Sequence, residues 1–321
     1  MKAVIQHEYG DASVLSYTEM DRPKIRENEV VIKVKYAGVN YADIKKRTGN
    51  KEPANFPLVL GLDAAGVIEE VFGESKFSKG DRVIAFPKNG AYAEYVVAKE
   101  DLVFKIPESL SLERAATMPT VSILSYLLIH EIGQVQPTDT IVIHSAAGGV
   151  GTMLVQLAKL AGVKNIICTV GSLTKERYVR GLGADIVCTY DDFVDVVLTQ
   201  TNGKGANVIL DSVAGEITRK SMECLALYGT LVQFGNSSGS IGTFTTADVH
   251  SSCRNVKGFS LGTTRKHNPK KLAPIAQVVL ELFASNKITL PIACTFSLHE
   301  AAEAHRLVES RNYEGKILLK M

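Results

Sequence analysis

Apolar residues fall into two different rhythms along the chain. Over the first hundred or so residues they come in short runs, such as Val30-Val31-Ile32-Lys33-Val34 and Gly66-Val67-Ile68-Glu69-Glu70-Val71, with further runs over 80–86 and 92–97. Glycine and proline punctuate between them, which predicts short strands joined by turns. Several such strands in succession predict an antiparallel, barrel-like unit. From Leu112 the rhythm changes. Residues 112–132 predict a long, mostly helical stretch, and 140–144 is a continuous apolar strand. Val150, Leu154, Leu157, Ala158 and Ala161 then recur at helical spacing over 150–161. Strands over 165–170, 207–211 and 230–234 alternate with helices over 174–182 and 216–226. That order predicts an α/β domain, a doubly wound parallel sheet with helices on both faces. Near the end, Asn268-Pro269 opens a helix with proline at its first position. Ser297-Leu298-His299-Glu300 is a capping box before another helix, and 316–320 reads as a closing strand.

Length supports two cores. At 321 residues the chain exceeds what one compact domain usually holds. Lys plus Arg number 36 and Asp plus Glu 34, a net charge of +2, so no basic excess points to nucleic acid. No apolar run reaches the length of a membrane span, and the N-terminus does not read as a secretory signal. Cysteines stand at 168, 188, 224, 253 and 294, widely spaced and without a CxxC. That pattern fits buried thiols in a reducing, cytoplasmic setting better than a disulfide framework or a zinc knot.

The sharpest chemical signal is Ala146-Ala147-Gly148-Gly149-Val150-Gly151, directly between the strand ending at His144 and the following helix. It is the dinucleotide fingerprint G-x-G-x-x-G with Ala146 in the first glycine place. Gly148 lets the backbone approach a pyrophosphate, Gly151 lets the helix pack on the strand, and the helix N-terminus offers free N–H groups. NAD sites carry a carboxylate at the end of the second strand, on the ribose 2′-hydroxyl. Here that strand ends at Val170-Gly171-Ser172, with Lys175, Arg177 and Arg180 beyond it. An uncharged turn followed by cations suits a 2′-phosphate, hence NADPH; the alternative is a solvated cationic helix face. Gly235-Asn236-Ser237-Ser238-Gly239 matches a hydrolase nucleophile elbow, but no helical pattern follows it.

These segments, taken together, carry a family resemblance. Gly38-Val39-Asn40-Tyr41-Ala42-Asp43 with Arg47 and Gly49, Leu60-Gly61-Leu62-Asp63-Ala64-Ala65-Gly66, Lys79-Gly80-Asp81-Arg82-Val83 and Gly90-Ala91-Tyr92-Ala93-Glu94-Tyr95 occur in order. Gly148-Gly149-Val150-Gly151, Asp211-Ser212-Val213-Ala214-Gly215, Phe234-Gly235-Asn236 and Gly315-Lys316-Ile317 continue it. The chain thereby resembles, over its whole length, the zinc-free, zeta-crystallin-like quinone oxidoreductases of the medium-chain dehydrogenase/reductase superfamily. The resemblance implies a GroES-like substrate domain built from 1–122 and 263–321, a Rossmann domain over 123–262, and an active cleft between them. It also implies a homodimer joined through the strand near Val256 to Leu261. In the zinc-dependent branch the metal is held by Cys, His and Cys. Here Asn40 and Leu62 occupy the first two of those places, and the region of Met118-Pro119 offers no thiol. No metal is expected.

Without a Lewis acid, hydride addition to a quinone or an α,β-unsaturated carbonyl is favoured, because conjugation spreads the incoming charge. The resemblance places Asn40 and Tyr41 in the cleft with the substrate, Tyr41 as a donor of a proton or hydrogen bond or else a packed aromatic; Lys51, a long cation nearby in the sequence, would bind an anionic oxygen or be simply solvated. Asp43 is expected to order its loop through Arg47. For the cofactor it implies Ala147, Gly148, Gly149 and Val150 at the pyrophosphate; Gly171, Ser172, Lys175, Arg177 and Tyr190 at the adenosine 2′-phosphate; and Phe234, Gly235, Asn236 and Lys316 elsewhere along the nucleotide. Two positions depart from relatives: Lys51 stands where many carry Tyr, and Leu124 where many carry Thr. Alternatives are an enoyl-thioester reductase of the same superfamily, for which Lys45, Lys46, Arg47 and Lys51 would offer a basic patch, and a non-catalytic NADPH- or RNA-binding crystallin-like protein. The near-neutral charge disfavours RNA.

Overall fold

The computed structural model describes every residue except 52 and 54. The chain divides into two compact units, one of Met1–Ile123 with Thr264–Met321, the other of Leu124–Thr263.

The second unit is an entirely parallel six-stranded sheet. Its strands in chain order are Thr140–Ile143, Asn165–Thr169, Ile186–Cys188, Ala206–Asp211, Leu225–Gln233 and Asn255–Gly258. In space they lie third, second, first, fourth, fifth, sixth. This is the doubly wound order of dinucleotide-binding domains, and its direction reverses between the first and fourth strands. The first strand is buried along its whole length, as a central parallel strand covered on both faces must be. Val142, Ile167, Ile209 and Leu231 pack with Phe193 and Met222 into one core cluster. The helix Gly149–Leu160 buries Leu154, Leu157 and Ala158 of the predicted stripe, with Met153 and Val155 beside them, while Val150 is half-buried.

The first unit is mostly antiparallel. Glu29–Val39, its longest strand, pairs with Asp63–Val71, Tyr95–Lys99 and Lys316–Lys320, all antiparallel. A smaller three-stranded sheet holds Ser16–Glu19, Lys2–Gln6 and Leu58–Val59. The capping box at Ser297 forms and leads into the helix Ala301–Ser310, whose Ala301, Ala304 and Val308 join the core.

Four expectations about elements are corrected. The stretch 112–132 is not one helix: it breaks into Leu112–Ala116 and Pro119–Leu127, then a π turn over Leu128–Ile132. Pro119 cannot donate to the preceding turn and disfavours helix at the residue before it. In the π turn, Gly133 N–H reaches back five residues to Leu128 O at 2.8 Å. The helix from 216 stops at Glu223, because Leu225 already belongs to a strand and pairs with Ala206. The edge strand ends at Gly258 and a helix, Leu261–His267, begins, so 259–261 are not strand. At Asn268-Pro269 a 3₁₀ turn precedes the α-helix Leu272–Ala284. Among the described residues no helix is long and apolar enough to cross a membrane.

Candidate functional site

In the second unit the chemistry gathers at the carboxyl ends of the first and fourth strands, where such sheets bind ligands. The turn after the first strand is held in an unusual conformation. Ser145 has φ 55°, uncommon for a residue with a side chain. Its N–H donates to the Tyr190 hydroxyl at 3.0 Å, and its own hydroxyl lies 3.0 Å from the same oxygen. Ser145 O then accepts from Gly148 N–H, and Ala146 N–H from the turn donates to Thr169 O. Tyr190 therefore clamps the loop from below, a role the sequence does not disclose.

The glycines divide by function. A Cβ on Gly151 would stand 2.4 Å from Ser145 O and 2.5 Å from the Ala146 Cα, so the helix can approach the strand only with glycine there. A Cβ on Gly148 would meet only Ser145 O, at 3.3 Å, and one on Gly171 would meet nothing within 4 Å. Gly148, Gly171 and Ser172 are exposed, whereas the Ala147 side chain is buried. Bare backbone facing open space beside a helix N-terminus suits the phosphates of a dinucleotide. Gly149 and Val150 add N–H groups from the first helical turn, which lack intrahelical acceptors.

Next to the loop, His144 is buried between Thr169 and Ser221, at 2.9 and 3.0 Å. Ser221 gives its one proton to Ile217 O, so His144 Nε2–H donates to Ser221 and Nδ1 accepts from Thr169. Burial pushes this imidazole down to about 4, and it stays neutral. On the fourth strand, Asp211 accepts from the N–H groups of Val213 and Ala214 and from the Thr218 hydroxyl, fixing the turn. Phe234 N–H donates to Asp211 O and Ser237 N–H to Ser212 O, which seats Gly235 and Asn236 beside that turn. A Cβ on Gly235 would lie 2.8 Å from Ser212 O.

Beyond the second strand, Ser172 caps the 3₁₀ turn Leu173–Lys175. Arg180 is committed to Glu176 and to Asp185 O. Arg177 is exposed and, among the described residues, makes no ion pair or hydrogen bond. It is the cation best placed by its freedom to receive a phosphate.

In the first unit, a polar network runs through an apolar interior. Asn40 precedes the helix Tyr41–Arg47. Its amide nitrogen donates to Asp63 at 2.9 Å and its amide oxygen accepts from Lys316 Nζ. Lys316 Nζ also lies 3.5 Å from Asp63, whose other oxygen accepts from Thr120 N–H at 3.1 Å and from the Thr120 hydroxyl. Lys316 is 3 % exposed, and burial lowers its pKa while the charges of Asp63 and Asp43 oppose the shift. Lys316 thus belongs to the Asn40–Asp63 group.

Asp43 accepts from Asn40 N–H at 2.8 Å and from the Tyr92 hydroxyl at 3.4 Å. The expected Asp43–Arg47 contact is absent among the described residues. Arg47, fully buried, spans Gly10 O, His305 and Glu309 instead. Arg47 donates to His305 Nδ1, so His305 Nε2–H donates to Tyr92 and the Tyr92 O–H is directed at Asp43. Arg47 accordingly leaves the basic patch expected with Lys45, Lys46 and Lys51. Burial pushes the Asp43 carboxyl from 3.8 up to about 6, and the Asp63 charge adds to this against the Asn40 N–H.

Tyr41 and Lys51 differ from these groups in being exposed. The Tyr41 hydroxyl accepts from Arg311 at 3.4 Å, with the guanidinium 5.5 Å from its ring centre. Lys51 makes no hydrogen bond or ion pair among the described residues, and loss of water around its ammonium lowers its pKa, against the Asp43 charge. Among the described residues no three His, Cys, Asp or Glu side chains stand so as to hold a metal ion.

Two family models match, and together they define a class of protein. Residues 26–108 match the alcohol dehydrogenase GroES-like domain and 149–277 the zinc-binding dehydrogenase domain. A probable quinone oxidoreductase of Schizosaccharomyces pombe is 36 % identical over 313 residues, 97 % of this chain and 94 % of its own. Escherichia coli quinone oxidoreductase complexed with NADPH superposes with a TM-score of 0.94 at 30 % identity, covering all of both chains. A mycobacterial protein complexed with NADPH gives 0.93 at 29 %, again over all of both chains. The chain belongs to the quinone oxidoreductase branch of the medium-chain dehydrogenase/reductase superfamily.

Proposed function

We propose that this protein is an NADPH-dependent oxidoreductase that delivers hydride to a quinone or an α,β-unsaturated carbonyl and does so without zinc. The observation that carries the reading is the exposed glycine turn at the switch point of the sheet, braced by Tyr190 and backed by Gly151. The N–H groups of Ala147, Gly149 and Val150 hold the pyrophosphate, which Gly148, its own N–H bonded to Ser145 O, admits by having no side chain. Gly171 and Ser172 leave room for the adenosine ribose, and Arg177 with Lys175 receives the 2′-phosphate, the absence of a carboxylate at Gly171-Ser172 disfavouring NADH. Phe234, Gly235 and Asn236 line the remainder of the nucleotide. The cofactor supplies a hydride from its dihydronicotinamide ring.

The chain's own work is to position the acceptor, stabilise the oxyanion that hydride addition creates, and supply a proton. Tyr41 and Lys51 are the donors for this, being exposed and able to give an O–H or N–H proton. Asn40 and Lys316 are bonded to each other and beside Asp63, so they act by positioning the segment that carries Tyr41. What supports a zinc-free reaction is the donor set, in which Asn40 and Leu62 replace metal-ligating types.

The test is NADPH oxidation against 1,4-benzoquinone, 9,10-phenanthrenequinone, an alkenal and crotonyl-CoA, with and without a strong chelator. Turnover of the quinones or the alkenal, insensitive to chelator, is expected. Exclusive turnover of crotonyl-CoA would favour the enoyl-thioester reading, and loss of activity on chelation would overturn the zinc-free one.

A further inference from the structure

The helix Ala301–Ser310 ends on a backbone conformation that its closing residue disfavours. Arg311 caps it at φ 56° and ψ 14°, in the left-handed region, and its N–H donates to Val308 O at 3.3 Å. Glycine usually fills such a place, because a side chain is strained there. A cation suits the negative end of a helix, but that attraction asks only for charge nearby and not for this backbone. What the conformation delivers is a contact. The Arg311 guanidinium donates to the Tyr41 hydroxyl at 3.4 Å and lies 5.5 Å from the centre of the same ring, both side chains being exposed.

The contact is braced from its other side. Tyr41 opens the helix Tyr41–Arg47, and Arg47 closes it. Arg47 is bonded to His305 and Glu309, which stand one turn apart on the helix that ends at Arg311. Each helix thus sends an arginine onto the other, and the buried Arg47 fixes where Arg311 meets Tyr41. The direction of that bond matters for chemistry. Arginine has donors and no acceptor, so the Tyr41 oxygen accepts and cannot give its own proton to Arg311. Among the described residues the Tyr41 hydroxyl donates to no other group, which leaves its proton available. A guanidinium at the oxygen also stabilises the negative charge left when a phenol gives up that proton.

We propose that Arg311 is a positioning residue for the proton-transfer half of the reaction, turning the Tyr41 O–H toward the acceptor and stabilising the phenolate that forms as the proton leaves. The assignment rests on the functional reading above and deepens it. Hydride adds to the β-carbon of an enone, the cofactor being oxidised as the acceptor is reduced. The conjugated π electrons shift, and the carbonyl oxygen takes the negative charge of an enolate. That oxygen bonds the Tyr41 proton, the Tyr41 O–H bond breaks, and its electron pair stays on the phenolate oxygen against Arg311. The enol tautomerises to the saturated carbonyl, and water returns a proton to Tyr41.

The test measures kcat, KM and melting temperature for Y41F, R311Q, R311K, R311G and Y41F/R311Q, with the acceptor that wild type reduces fastest. Y41F is expected to lose about a hundredfold in kcat, the usual scale of a general acid. R311Q should lose about tenfold in kcat, the scale of one charge-assisted hydrogen bond, with KM within about twofold of wild type. R311K should fall between the two, having the charge without the fork. R311G should lose as much rate as R311Q while melting at or above the wild-type temperature, since glycine relieves the cap. Added to Y41F, R311Q should lower kcat no further, because Arg311 acts through the hydroxyl that is already gone. A wild-type kcat in R311Q, an undiminished further loss in Y41F/R311Q, or a loss of rate confined to variants that melt low overturns the assignment and makes Arg311 a structural cap. A wild-type kcat in Y41F overturns it equally and leaves the reductase reading standing. Failure of wild type to oxidise NADPH with any quinone or enone sinks that reading itself, and the role of Arg311 with it.

Discussion

At the scale of single residues, the protein's polar interior is ordered by direction as well as distance. Arg47 can only donate, so His305 must accept at Nδ1, and the rest of that chain follows as far as Asp43. Because arginine does not release its proton, this is a scaffold and not a proton path to the surface. It has a pH signature. Asp43 has its pKa raised from 3.8 to about 6, so its contribution favours the folded state fully below 3.8 and is lost as pH rises to about 6. His305 and His144, pushed down by burial to about 3 and about 4, act in the opposite sense, losing stability on acidification. They are common to wild type and D43N, so comparing melting temperatures isolates Asp43. Wild type should lose roughly 2–3 kcal/mol relative to D43N between pH 4 and 6, with a constant difference above that. Parallel curves across the range would contradict the assignment. None of this network was legible in the sequence beyond the likeness of its segments to relatives. Asp43, Tyr92 and His305 are far apart in the chain, and no local spacing joins them.

At the scale of elements, the glycine turn was legible and its support was not. Strand, glycines and helix stand in order along the chain, and each forms where its apolar period places it. Tyr190, expected at the adenosine 2′-phosphate, also bonds Ser145 through its hydroxyl, a contact 45 residues apart that no local pattern announces. The helix over 112–132 failed for a local reason that was present in the sequence, Pro119. The glycine geometry makes a paired prediction. G148D should fold with a melting temperature closer to that of wild type than G151A, since its Cβ would press on one atom only, Ser145 O at 3.3 Å, yet lose NADPH binding by at least about a hundredfold through charge repulsion. G151A should instead destabilise the fold by about 1–3 kcal/mol, the usual cost of overpacking, because its Cβ would press on Ser145 and Ala146. Thermal melts and fluorescence titration with NADPH check both; the reverse pattern would mean the glycine roles are exchanged.

At the scale of the whole molecule, the two rhythms of the sequence correspond to two units with different sheets, one parallel and one mostly antiparallel. The chain leaves one unit for the other and returns, which the residues alone did not disclose until the likeness to relatives was weighed. Among the described residues the strand Asn255–Gly258 has a neighbour on one side only. An open parallel edge is a pairing site for a second copy, and sedimentation should report a dimer that V256P, by breaking strand pairing, converts to monomer. A wild-type monomer at micromolar concentration would contradict that assignment.

Hydride transfer to a conjugated carbonyl is the claim on which the rest depends. Its most direct measurement uses NADPH deuterated at the transferable C4 position, an enone acceptor, and mass and NMR analysis of the product. Deuterium on the β-carbon, one per NADPH oxidised, is the predicted result. Bound NADPH that is never oxidised, or product without deuterium at that carbon, would contradict it.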